Sequence, residues 1–119
     1  MDTLPNYENA VVPLDKLLKY SLDYSNPKSR DKAIAFNSAL GFTTTNYQIL
    51  LTLVLKNLPL HRAVFRGSNA YGDRYQVIMT INGVNGKHAE VLTAWIIRYD
   101  EDFPRLTNIY VTNKKGEPL

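Results

Sequence analysis

With no cysteine and only two histidines in the chain, any chemistry falls to a few cationic and aromatic side chains. Lys32 stands with Arg30 in the first turn of a helix expected within "SNPKSRDKAIAFNSALGF", residues 25–42. The helix field disfavours positive charge at that end. A docked anion would account for cations there, and so would a solvated surface. His61 and His88 titrate near neutrality without help from neighbours. His61 opens the first expected strand, whereas His88 lies just past a hairpin tip, so His61 is the better-placed candidate base. Arg74 is a candidate phosphate ligand, because arginine offers planar, two-pronged contacts to phosphate. Arg105 is a second such candidate, or else the ion-pair partner of the acidic turn "DED" at 100–102.

Several classes of chemistry find no support. No His/Asp/Glu cluster has metal-ligand spacing, so no metal site and no cofactor is expected. No G-x-x-x-x-G-K-[ST] pattern is present, and no serine sits in a nucleophile elbow. The formal charge of +3 permits contact with nucleic acid without demanding it. No apolar run reaches the length of a membrane span. The opening "MDTLPNYENA" is acidic and polar, unlike a signal peptide. The expected setting is the cytoplasm, or delivery into a target cell as part of a larger protein, with no membrane partner.

These residues need a frame to hold them. The 119 residues, 45% of them apolar, suit one domain over 1–119 with a single core. Residues 1–12 read as an extended lead-in and 113–119 as a flexible tail. "LDKLLKYSL" (14–22) places Leu14, Leu17, Leu18 and Leu22 on one helical stripe. Ser29 is the expected N-cap of the second helix, in which Ala33, Phe36 and Leu40 share a face. Gly41 suits a left-handed helix end, with Phe42 folding back on Phe36. Thr45 with Gln48 reads as a capping box for a third helix, which should close near Asn57 ahead of Pro59. Strands are then expected at 61–66, 74–81, 88–99 and 105–112. The fold class is α+β: two to three N-terminal helices packed on a four-stranded antiparallel meander.

Asn85-Gly86 is a hairpin signal that predicts a register. Pairing Val84 with Lys87 sets Met79 opposite Leu92, Val77 opposite Ala94 and Tyr75 opposite Ile96, a core face for the helices. The second face then holds Arg74, Gln76, Thr93, Asn108 and Tyr110 around Trp95. Arginine, hydroxyls and aromatics on such a face suit a ligand made of phosphates and bases. Arg62 and Arg66, on alternate positions of the first strand, extend the basic stripe. The plain alternative is a half-exposed sheet with ordinary cross-strand pairs.

"NPKSRDKAIAFNSALGF", "YGDRYQV", "TAWII" and "FPRLTNIYV" together resemble a small bacterial domain of uncharacterised function, across roughly residues 4–112. That domain is similar to C-terminal modules of polymorphic toxins, in the barnase–EndoU–colicin–RelE group of metal-independent ribonucleases. The resemblance implies helices on a four-stranded sheet and RNA cleavage by attack of the ribose 2′-OH on its own phosphate. It implies RNA as substrate and a cognate immunity or antitoxin protein as partner. By motif, Lys32, Tyr75, Trp95 and Arg105 match the family pattern. Asn26 stands where such relatives often carry histidine, and Asn108 where they often carry threonine; asparagine cannot serve as a general base. The alternative reading is a non-catalytic protein-interaction module of the same fold.

Overall fold

The computed structural model describes residues 2–113 and 117. Pro13 leads into α1 (Leu14–Lys16), which continues as a π-helical turn over Leu17–Ser21. The wider turn rotates the leucine stripe. Leu17 and Leu22 are buried, while Leu14 is left exposed. Ser29 precedes α2 (Arg30–Leu40) but does not cap it; its Oγ donates to the Tyr20 carbonyl at 2.6 Å, joining the two helices instead. At the far end Gly41 takes φ 77°, its N–H donates to Asn37 O, and the Phe42 N–H donates to Phe36 O. That is the expected left-handed closure. The capping box before α3 (Tyr47–Asn57) is built by Thr43 and Asn46, not Thr45 and Gln48, because a 3-10 turn over Thr44–Asn46 comes first. The helix ends at Asn57 as Pro59 requires, and a 3-10 turn over Leu58–Leu60 follows.

The strands β1 (Ala63–Ser68), β2 (Gly72–Asn82), β3 (His88–Arg98) and β4 (Arg105–Thr112) form an antiparallel meander in the order β1-β2-β3-β4. The β2–β3 register differs from the expected one by a single residue. Tyr75 faces Trp95, Val77 faces Thr93 and Met79 faces Val91. The cause is the turn. A two-residue type I′ loop needs positive φ at both central residues. Here Gly86 has φ 82° but Asn85 does not, and the Gly83 N–H donates to Lys87 O at 2.8 Å. The loop is therefore the three-residue kind, Val84 to Gly86, which moves every β3 side chain to the opposite face.

That slip decides the core. Val91, Thr93 and Trp95 point to the helices with Val77, Met79 and Ile81, against Phe36, Leu40, Leu50 and Val54. Trp95 is 1% exposed and Thr93 fully buried, so the expected placement of both on the open face is corrected. Their polar atoms are satisfied in series: Trp95 Nε1 donates to Thr93 Oγ1, and Thr93 Oγ1 donates to Val77 O, each at 2.8 Å. A buried indole N–H keeps such a partner to avoid its desolvation cost.

Two ties orient the helix layer over the sheet. The hairpin tip docks on the C-terminus of α2, where the Val84 N–H donates to Leu40 O at 2.9 Å. A Cβ at Gly83 would lie 2.3 Å from that same oxygen, so the approach requires glycine. At the other end Ser21 Oγ donates to Ile109 O on β4, which holds the first helix along the β4 edge. The lead-in is not uniformly extended: a 3-10 turn at Tyr7–Asn9 precedes a parallel bridge from Val11 to Arg105. Of the tail expected at 113–119, residues 114–116, 118 and 119 lie outside the described residues.

Candidate functional site

With its C-terminus fixed by the hairpin, α2 presents its first turn to β4. Lys32 Nζ donates to Asn108 Oδ1 at 3.0 Å. The same ammonium lies 4.7 Å from the centre of the Tyr20 ring and 5.6 Å from that of Tyr110. Tyr20 comes from the π-helical turn, Lys32 from α2 and Tyr110 from β4, so three elements converge on one cation. β4 is irregular here: its register with β3 shifts between Ala94 and Trp95. The Asn108 Oδ1 also accepts the Ile109 N–H at 3.0 Å, which fixes the amide that Lys32 meets.

Among the described residues, no carboxylate pairs with Lys32. Its pKa is lowered from the ordinary lysine value, first by burial and then by repulsion from Lys16. An ammonium held in this way, with spare N–H donors, has unmet capacity for an anion. The adjoining groove, of about 490 Å³, is lined by Asp15, Lys16, Lys19, Tyr20, Thr107 and Asn108. Asp15 and Lys19 form an exposed pair at 3.8 Å. The groove therefore combines three nearby lysines with one carboxylate and a tyrosine ring.

The remaining expected residues distribute differently. Arg74 and Gln76 do lie on the sheet face away from the core, where Arg74 is exposed and faces Ile96 while Gln76 faces Ala94. Asn108 faces Ala94 from the other side, so Gln76 and Asn108 share one row across β3. Two interstrand spacings put those rows about 10 Å apart. Arg74 Nη2 donates to the Arg66 carbonyl, bracing the β1 bulge with one arm of its guanidinium.

His61 is tied at both ring nitrogens. Nδ1 meets Asn57 O at 3.0 Å, and Nε2 accepts the Thr80 N–H at 3.3 Å. The two contacts make the ring a clasp between α3 and β2, away from Lys32. Arg105 pairs with Glu101 at 2.8 Å and lies over the Phe103 ring, so the ion-pair alternative is the one realised. Of the residues picked from sequence, Lys32, Asn108 and Tyr110 come together, Arg74 and Gln76 share the neighbouring open face, and His61, Arg105, Thr93 and Trp95 are engaged elsewhere.

A sequence model for the family described as "Domain of unknown function (DUF6883)" matches residues 3–113. The chain belongs to that family. No curated protein and no solved structure matches it. In this DUF6883 domain, the groove residues that sequence reasoning passed over are Asp15, Lys16, Lys19 and Tyr20. One signal was available: Asp15 and Lys19 are an i, i+4 pair of opposite charge on the first helix. Among the described residues, no group of three or more His, Asp or Glu is arranged to hold a metal ion. No described helix is long and apolar enough to cross a membrane.

Proposed function

We propose that this domain binds RNA through the Lys32 groove and cleaves it without a metal ion, as a ribonuclease of the toxin-module kind. The observation that carries the reading is the Lys32 ammonium, held between two tyrosine rings and Asn108 with no carboxylate among the described residues to neutralise it. The resemblance to the barnase–EndoU–colicin–RelE group supports it. The motif positions Asn26, Lys32 and Asn108 gather around the Lys19–Tyr20 turn: the Asn26 amide donates to Lys19 O, and Lys32 joins Tyr20 to Asn108.

In the proposed reaction the ribose 2′-oxygen attacks its own phosphorus and the bond to the 5′-oxygen breaks. The products are a 2′,3′-cyclic phosphate and a 5′-hydroxyl end. Lys32 stabilises the charge that builds on the non-bridging oxygens, helped by Lys16 and Lys19. Asp15, the carboxylate lining the groove, takes the 2′-OH proton, and a groove ammonium returns a proton to the leaving oxygen. Arg74, Arg62 and Arg66 attract the flanking strand. The test is expression of the domain alone in cells with Lys32→Ala beside it. The reading expects growth arrest with new RNA ends for the wild type and relief in the variant. Robust growth at high expression of both would overturn it.

A protein partner is the second reading, and one observation favours it. β1 is an edge strand, met by the lead-in at Ala63, whose N–H donates to Asp2 O at 2.8 Å, and it presents Val64 and Phe65 to solvent beside an exposed Leu60. Edges of this kind are templates for an added strand. An immunity or antitoxin protein, or the partner of a non-catalytic module, would dock there without competing for the Lys32 groove.

A further inference from the structure

A second depression, of about 680 Å³, opens where β2 begins and β3 ends, lined by Ala70, Tyr71, Ile96, Arg98, Tyr99, Asp100 and Thr107. We infer that it is a nucleobase-stacking subsite for the nucleotide next to the phosphate held at Lys32, which makes the substrate a single strand. This deepens the proposed function and rests on it.

Three observations carry the inference. First, both tyrosines are open, and the Tyr99 ring is held by its hydroxyl. Tyr71 is 73% and Tyr99 64% exposed. Even so, Tyr99 Oη donates to Asn69 O at 3.0 Å and the Tyr99 N–H donates to Tyr71 O at 3.0 Å. Asn69 Oδ1 in turn accepts the N–H groups of Tyr71 and Gly72 at 2.8 and 3.1 Å. An exposed ring tied by its hydroxyl loses little freedom when a base stacks on it. Nothing in the core requires that tie, since both rings lie outside the hydrophobic cluster.

Second, the depression is continuous with the Lys32 groove. Thr107 lines both. Asn108 faces Ala94, and Ile96 forms part of the depression's wall two residues further along the same face of β3. Two residues of strand span about 7 Å. A phosphate and the base beside it bridge that separation, whereas a paired base within a duplex is stacked on its own neighbours and unavailable.

Third, the chemistry matches. Every base offers a π face, which makes stacking sequence-tolerant. The Ile96 side chain gives the depression an apolar wall, and Arg98, paired only at 3.9 Å with Glu101, keeps positive charge at the edge. Gly72 opposes Arg98 across the strands, and a Cβ there would lie 2.2 Å from Ile97 O. The missing side chain lets the strands meet closely beside the backbone of Tyr71 and Tyr99.

The probe is a fluorescein-labelled single-stranded oligoribonucleotide, 2′-O-methylated so that it cannot be cleaved, beside a copy carrying one abasic site and a duplex of the same sequence. Anisotropy titrations use the wild type, Lys32→Met, Tyr71→Ala, Tyr99→Ala and Tyr99→Phe, with unfolding curves to confirm that each is folded. The inference expects Tyr71→Ala and Tyr99→Ala each to weaken single-strand binding roughly 5- to 150-fold, the alanine-substitution effect of stacking one base. Tyr99→Phe, which keeps the ring and loses its tie to Asn69, should fall between the wild type and Tyr99→Ala. The duplex should bind more weakly, and an abasic site should cancel the tyrosine effect. If Lys32→Met weakens binding but both tyrosine variants bind as the wild type does, the stacking subsite is overturned and the phosphate groove stands. If no oligonucleotide binds the wild type, the underlying reading falls and the inference falls with it.

Discussion

Replacing Lys32 by methionine leaves a side chain one atom shorter and removes its charge, which separates binding from folding. In the folded protein the ammonium donates to Asn108 at 3.0 Å and lies against two rings at 4.7 and 5.6 Å among the described residues. The charged hydrogen bond contributes about 1.5–3 kcal/mol, and each half-exposed ring contact about 0.5–1. Burial of the ammonium and repulsion by Lys16 oppose them, as its lowered pKa records. Methionine fits the same slot between two rings and regains part of the packing. The opposing contributions partly cancel, so the variant should melt at most modestly below the wild type at neutral pH.

An anion bound at Lys32 loses a charge-assisted hydrogen bond in the variant, a cost of about 1.5–3 kcal/mol. That corresponds to roughly 10- to 150-fold in affinity. The pH dependence has a definite sign. A lysine with a lowered folded pKa binds fewer protons folded than unfolded, between its folded value and 10.5. Stability therefore rises with pH across that window. The wild type should gain on Lys32→Met as pH climbs from neutral through the folded pKa toward 10.5, the deficit at neutral pH being relieved as the charge is lost. Urea unfolding at several pH values and anisotropy with the uncleavable oligonucleotide measure both effects. A variant that unfolds far more easily yet binds RNA as tightly as the wild type would show Lys32 to be a structural clasp and refute the reasoning.

Other expectations follow from the same geometry. His61→Ala should cost no more than about 1 kcal/mol, the net worth of an exposed hydrogen bond whose Thr80 N–H water can then satisfy, read by urea unfolding, while leaving the rate and pH profile of RNA cleavage unchanged. Gly83→Ala should push the hairpin tip off the α2 C-terminus and lose the Val84–Leu40 bond, costing at least about 2 kcal/mol and visible as a lowered urea midpoint. Trp95, the single tryptophan, should be poorly quenched by iodide and unaffected by bound RNA, because it sits in the core; strong quenching by either would contradict its placement.

The class of fold was readable because each element carries its own signal. Gly41 ends α2, Pro59 limits α3, and four β-rich runs follow one another with short turns. What could not be read was which way β3 faces. Its residues from Val91 to Ile97 are apolar or small on both sides, so periodicity offers no arbiter, and the three-residue loop at Asn85-Gly86 moved Trp95 and Thr93 inward. Lys32 and Asn108 were legible singly, from helix position and strand alternation. Their meeting was not, since it depends on a bulge in β4 and on docking of the α2 C-terminus at a distant hairpin. His61 looked like a base on residue type alone; only the positions of Asn57 and Thr80 reveal it as a clasp.

The central claim is that the Lys32 groove cleaves RNA by transesterification without a metal ion. Purified wild-type and Lys32→Met proteins incubated with total transfer and ribosomal RNA in EDTA test it most directly, with the new ends mapped and their chemistry identified. The account predicts discrete cuts bearing 2′,3′-cyclic phosphate and 5′-hydroxyl ends from the wild type, and their loss in the variant. Intact RNA from the wild type, or identical cuts from both proteins, would contradict it.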